Sequence, residues 1–253
     1  SSSGDVIDAN EAATVFYGWS IAELKTMNIS QINSLTPQAV RQASEKVRTK
    51  EKNHFEFRHR RADGSVRDVE VYSSKISTGG RELLYSIVHD ITERKQIERE
   101  NERLHAAIEQ AGESIVITDV QGDIVYVNPM AEKVSGYSRA ELVGCNPRIF
   151  KSGLQEDAFY KDLWTTLASG GNWQGRLINR RKDGSFFTEA STISPVRNAA
   201  GDIVNYVAVK RDITENLLLE AQLMQAKKME SVGRIAGRVA HDFKNMLRVI
   251  MGF

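Results

Sequence analysis

The sequence predicts an α+β fold in which one small domain occurs twice, with helices between and after the copies. Three observations lead there. The chain repeats itself at a spacing of about 120 residues. Within each copy, short β-rich runs are separated by Gly/Asp turns. The segments after each copy are charged and carry apolar residues three and four apart, the spacing of a helix with one apolar stripe.

The repeat is visible residue by residue. Asp5-Val-Ile-Asp-Ala-Asn10 matches Asp123-Ile-Val-Tyr-Val-Asn128, and Gly18-Trp-Ser-Ile-Ala-Glu-Leu24 matches Gly136-Tyr-Ser-Arg-Ala-Glu-Leu142. Asn28 falls on Asn146. Arg60-Arg-Ala-Asp-Gly-Ser65 matches Arg180-Arg-Lys-Asp-Gly-Ser185, and Asp90-Ile-Thr-Glu93 matches Asp212-Ile-Thr-Glu215.

The second copy predicts its elements in order. Ser114 to Asp119 and Asp123 to Asn128 read as two strands around a hairpin turn. Pro129 to Ser135 reads as a short helix, with proline at its first turn. Ser138, with Glu141 three residues on, reads as a capping box. Gln155 to Ser169 reads as a longer helix. Three strands follow, Trp173–Arg180, Phe186–Val196 and Val204–Asp212, separated by Lys182-Asp-Gly and Ala200-Gly-Asp turns. Residues 1–92 follow the same pattern from the second strand onward, so the first copy is expected to lack its first strand. That strand either lies upstream of residue 1 or is borrowed.

This order, with the Asn after the second strand, the Gly-Tyr-Ser-x-x-Glu-Leu segment and the closing Asp-Ile-Thr, resembles the PAS sensor domain. The resemblance implies two tandem domains, each a five-stranded antiparallel sheet with helices on one face. The expected division is 1–92 (first PAS domain), 93–111 (helical coiled-coil linker), 112–215 (second PAS domain) and 216–253 (signalling helix running into a dimerisation helix). In the linker, Ile97, Asn101, Leu104, Ile108 and Ala111 step by four and three, which is heptad spacing, and Asn101 in the seam favours a two-stranded parallel pairing. A single solvated helix is the competing reading. Both connectors suit a relay in which a shift in one domain becomes a twist or slide in the next.

At the end of the chain, Val232, Ile235, Ala236, Val239, Phe243, Met246, Leu247 and Ile250 fall on one stripe of a helix, with His241 almost opposite. A neutral imidazole offers one nitrogen for nucleophilic attack, and a neighbouring carboxylate can hold the other. Gly-Arg-Ile-Ala-Gly-Arg-Val-Ala-His-Asp-Phe-Lys-Asn-Met-Leu resembles the phosphoacceptor box of two-component sensor histidine kinases. The resemblance implies that His241 accepts the γ-phosphoryl group of ATP, that Asp242 is the adjacent acid–base group, and that Asn245 orients a phosphoryl oxygen or water. Lys244 departs from the family, which commonly carries Asn there. The implied partners are a second copy, forming a dimeric helical bundle, an ATP-binding kinase domain absent from this chain, and a response regulator that takes the phosphoryl group on an aspartate. Without that kinase domain the chain is expected to be inactive alone. Tandem PAS domains serving another output, such as a transcription factor or a cyclase, are the alternative.

The remaining features exclude more than they assign. A formal net charge of +1 gives no reason to expect nucleic acid. The single cysteine, Cys145, excludes an internal disulfide and a cysteine-based metal site. No apolar run approaches a membrane span, and no signal peptide is evident, so a cytoplasmic location is expected, with an anchor upstream of residue 1 left open. Gly144-Cys-Asn-Pro-Arg-Ile-Phe-Lys151 is similar to the flavin-binding, light-sensing subgroup. There, however, a reactive cysteine stands where this chain has Pro147. Asn179 matches one flavin-contacting Asn, while Glu189 and Lys210 stand where an Asn and a Gln would be. Cysteine–flavin photochemistry is not expected, and a flavin held without the cysteine is the weaker alternative to an empty or small-molecule pocket. Haem needs an axial ligand, and His54, His59, His89 and His105 read as surface residues. Tyr126, Phe150, Trp164 and Trp173 read as core.

Overall fold

A computed structural model describes residues 4–78 and 80–229. The described residues fall into two compact units, divided between Leu104 and His105.

In the first unit, helices α1 (Glu11–Tyr17), α2 (Ile21–Leu24), α3 (Ile29–Ile32) and α4 (Pro37–Arg48) precede strands β1 (His54–Arg60), β2 (Val66–Thr78) and β3 (Arg81–Asp90). The strands form one antiparallel sheet in the order β1-β2-β3. Helix α5 (Thr92–Glu109) follows directly. In the second unit, β4 (Ser114–Thr118) and β5 (Ile124–Val127) lead to α6 (Pro129–Ser135), α7 (Arg139–Leu142), a short 3-10 helix Pro147–Phe150, and α8 (Asp157–Ala168). Strands β6 (Trp173–Arg180), β7 (Phe186–Arg197) and β8 (Ile203–Asp212) complete an antiparallel five-stranded sheet, ordered β5-β4-β8-β7-β6. Residues 214–229 are helical.

The helix starts are fixed by side-chain caps that recur in both units. Asn10 Oδ1 accepts from Ala13 N at 2.9 Å, and Asn128 Oδ1 accepts from Ala131 N at 3.1 Å. Ser138 with Glu141 forms the expected capping box, and Ser20 with Glu23 forms its counterpart in the first unit. Asn28 and Asn146 cap the next short helices. Gly18 and Gly136 end α1 and α6 in the left-handed conformation, which glycine adopts without strain.

The core of the second unit lies between the helices and one face of the sheet. Ala131, Leu142 and Phe150 pack with Val116, Ile124, Val127 and Ala208. Leu163 and Leu167 of α8 pack with Trp173, Leu177 and Tyr206. Trp164, expected in the core, is 40% exposed. It sits one residue off the Leu163–Leu167 stripe and instead meets Tyr206 edge-on at 5.9 Å. Its ring also approaches Gly122, where an added Cβ would lie 3.1 Å from it.

The first unit departs from expectation at its start. The repeat predicts residues 5–10 as a strand. Instead they make one isolated bridge, Asp5 to Asn28. The reason is in the second unit: β5 pairs only with β4, and β4 joins it to β8. Among the described residues the first unit has no counterpart of β4, so its second strand has nothing to pair with. A cavity of about 1160 Å³ opens between residues 4–13 and the sheet.

The linker helix ends at Glu109, so Ala111 lies beyond it. Asn128 Nδ2 donates to the carbonyl of Ile108 and to that of Glu113, satisfying backbone acceptors where the chain leaves the helix.

Candidate functional site

His241, Asp242, Asn245, Lys244 and the stripe from Val232 to Ile250 lie outside the described residues. The described residues hold the two domain interiors and the points where helices leave the sheets.

In the second unit, strand alternation sends Asn179, Glu189 and Lys210 to the interior, where they are 5%, 3% and 6% exposed. Asn179 Nδ2 donates to Glu189 Oε2 at 2.7 Å, and Lys210 Nζ lies 3.3 Å from the same oxygen. The ammonium is also 5.3 Å from the centroid of the Phe150 ring. Ser191, opposite Lys210 in the β7–β8 register, is buried with its hydroxyl unpartnered. The sequence offers Asn179 as a lone candidate and the other two positions as departures. What it leaves unnoticed is that the two departures carry opposite charges on neighbouring strands, which was the available signal.

The same place in the first unit is built differently. His59 occupies the position of Asn179, and Val69 and Val88 those of Glu189 and Lys210. His59, expected at the surface, is 2% exposed. Tyr17 Oη is 2.7 Å from its Nδ1, and Asn33 Nδ2 is 3.4 Å from its Nε2. Burial lowers the imidazole pKa to about 4, and burial likewise pushes the Tyr17 phenol up. Phe55, Phe57 and His59 share one face of β1, alternating with Glu56, Arg58 and Arg60. That period of two was the missed signal. The other three described histidines, His54, His89 and His105, have side chains 40%, 60% and 65% exposed.

The exits from the sheets are held by polar contacts. In the second unit, Arg181 Nη2 donates to Asp212 Oδ2 at 2.8 Å, and Thr214 N donates to Asp212 Oδ1 at 2.9 Å, so the strand end also caps the helix that follows. Thr188 N donates to Thr214 Oγ1, and Ile213 N to Thr188 O. At the entry, Glu109 accepts from Arg139 Nη2 at 2.6 Å and from Tyr126 Oη at 2.8 Å. The Arg139 guanidinium, then the Tyr126 hydroxyl, hold the Glu109 carboxyl below its usual range. Cys145 Sγ donates to Glu141 O. Among the described residues, no group of three or more His, Cys, Asp or Glu side chains is placed to hold a metal ion. None of the described helices is long and apolar enough to cross a membrane.

Residues 102–213 match the family described as the PAS fold, and residues 1–93 match the one described as the PAS domain. The chain contains two tandem PAS domains. The curated relatives carry these domains on several outputs. The chain is 38% identical over 116 residues to a nitrogen fixation regulatory protein of Klebsiella oxytoca, covering 46% of this chain and 23% of the relative. It is 27% identical over 146 residues to the signal transduction histidine-protein kinase AtoS of Escherichia coli, covering 58% and 24%. It is 28% identical over 211 residues to the probable diguanylate cyclase DgcE of Escherichia coli, covering 78% and 18%. The PAS chain thus spans a quarter or less of the length of these relatives. A structure of a Light-Oxygen-Voltage domain, studied with a flavin analogue, is 28% identical with a TM-score of 0.42, covering 50% of this chain and 96% of that one.

Proposed function

We propose that the chain is the sensory and phosphoacceptor portion of a two-component histidine kinase. Its PAS domains control ATP-dependent phosphorylation of His241, and the phosphoryl group passes to an aspartate of a response regulator. The observation that carries this reading is the sequence from Val232 to Ile250, in which His241, followed by Asp242, stands almost opposite an apolar stripe that includes Phe243. The free imidazole nitrogen attacks the γ-phosphorus, the bond to the ADP oxygen breaks, and the ring proton is taken up with Asp242 as acceptor. Asn245, one turn on, orients the transferred oxygens. The relationship to AtoS agrees with this output. ATP binds in a separate kinase domain, and the protein acts as a homodimer through its linker helices and the His241 helix.

A second reading has its own support. The match to the probable diguanylate cyclase runs over 78% of the chain, which agrees with an output other than a histidine kinase. Labelled ATP separates the two. The intact protein containing this chain is expected to take up an acid-labile, alkali-stable label that disappears in His241→Gln. Label that persists in the variant, or none with an intact ATP-binding domain, assigns the chain to the second reading.

A further inference from the structure

We propose that the interior of the second PAS domain is closed by its own ion pair and takes no flavin: Asn179, Glu189 and Lys210 satisfy one another at the place where a bound ring system needs them free.

A flavin makes a specific demand of its site. One edge of its ring system presents an N–H donor between carbonyl acceptors. Side-chain amides suit that edge because each offers both a donor and an acceptor. Here Asn179 gives its N–H to Glu189 Oε2 at 2.7 Å. A carboxylate only accepts and an ammonium only donates. Glu189 and Lys210 therefore match each other, 3.3 Å apart, better than they match the mixed edge of a ring. Both are almost completely buried, at 3% and 6% exposure, so freeing either one would leave a charge unpaired in the core. The Phe150 ring, itself 4% exposed, lies against Lys210 and packs with Val116 and Ala208 of the same sheet face. The residues present do not fit the group. The first domain shows that the pair is not a requirement of the fold, because Val69 and Val88 occupy the two positions there.

The test uses the 253-residue chain made in riboflavin-fed cells, in a Trp19→Tyr background, which copies Tyr137 and leaves Trp164 and Trp173 to report on the second domain. No flavin absorbance is expected in the purified protein or after its denaturation. In thermal melts, Glu189→Leu, Lys210→Met and the size-matched Glu189→Gln each lower the second domain's midpoint by roughly 10 °C or more, because each leaves one charge unpaired. The double variant Glu189→Leu/Lys210→Met is expected to recover to within a few degrees of the parent. If a single variant does not fold at all, a folded double variant supports the proposal equally well. Stoichiometric flavin that is lost in Asn179→Leu would overturn the proposal. So would a double variant as destabilised as the two singles added together.

Discussion

The two PAS domains share their local signals and differ in one strand. Both cap their helices with the same Asn and Ser–Glu pairs. Both tie the arginine that opens the Asp-Gly turn to the first helix: Arg61 to Phe16 O and Arg181 to Val134 O. Both make the same isolated bridge, Asn33 to His59 and Lys151 to Asn179. Only the second contains β4 among the described residues. With β4 present, the hairpin closes, Asn128 is fully buried, and contacts from Ile124 to Phe150 form one core. With no such strand among the described residues of the first, Asn10 is exposed, Tyr85 and Ile87 on β3 are 55% and 45% exposed, and a cavity opens. Matching local sequence therefore carries different energetic weight depending on whether a partner strand is there to join it to the rest of the sheet.

The largest test of that contrast compares two matched asparagines. Asn128 Oδ1 accepts from Ile115 N and Ala131 N, and its Nδ2 donates to Ile108 O and Glu113 O, at zero exposure. Asn10 caps α1 at the surface. Asn128→Ala is expected to destabilise the second domain by about 4 kcal/mol, because buried backbone groups lose their partners. Asn10→Ala is expected to cost the first domain about 1 kcal/mol, the value of a helix cap. Chemical denaturation of each variant checks this, and equal losses would show that β4 adds nothing to the asparagine's role.

Next in size is the pH dependence that His59 gives the first domain. Burial holds His59 at about 4, against 6.5 for an ordinary imidazole. Below 6.5 the unfolded chain binds a proton that the folded domain refuses, so the His59 contribution makes stability fall as pH drops from 6.5 toward about 4, and that contribution levels off below. The slope is about 1.4 kcal/mol per pH unit, spread over that window. His59→Asn, which copies the second domain, removes this component. NMR titration of the His59 ring together with denaturation at several pH values measures both. A ring that titrates near its ordinary value would contradict its burial against Tyr17 and Asn33.

What the sequence revealed, and what it hid, follows the range of the interactions. The helices 129–135 and 139–142, and strand 173–180, were legible because their signals are local: a cap, a proline, a Gly turn, an alternation. The same logic misplaced residues 5–10, since whether an alternating run becomes a strand depends on a neighbour that sequence alone does not supply. Trp164 was misplaced because aromatic size suggested burial while its helix phase pointed elsewhere. In the sequence Glu189 and Lys210 stand as two separate departures from the flavin-binding pattern. Their pairing is a matter of register between β7 and β8, which no single stretch contains. His59 was hidden by its charged neighbours, although period-two alternation placed it with Phe55 and Phe57. His241, Asp242 and Asn245 rest on sequence order alone.

The smallest expected effect on folding concerns the linker helix, whose faces are used unequally. One face is tied to its own sheet: Lys95 Nζ to Glu56 Oε2 at 2.8 Å and Arg99 Nη2 to Asp68 Oδ2 at 3.0 Å. The heptad seam is not covered, with Ile97 55% and Leu104 54% exposed. Exposed ion pairs contribute little each, so they fix the orientation of the helix more than its stability. That orientation leaves the seam available to a second copy. Ile97→Asn/Leu104→Asn is expected to change domain stability by less than about 0.5 kcal/mol, while weakening the dimer that the His241 helix also helps to hold, read as a raised dissociation constant in sedimentation at several concentrations. A dissociation constant that is the same before and after the substitution would remove the coiled-coil reading and leave α5 as a single solvated helix clamped to its sheet.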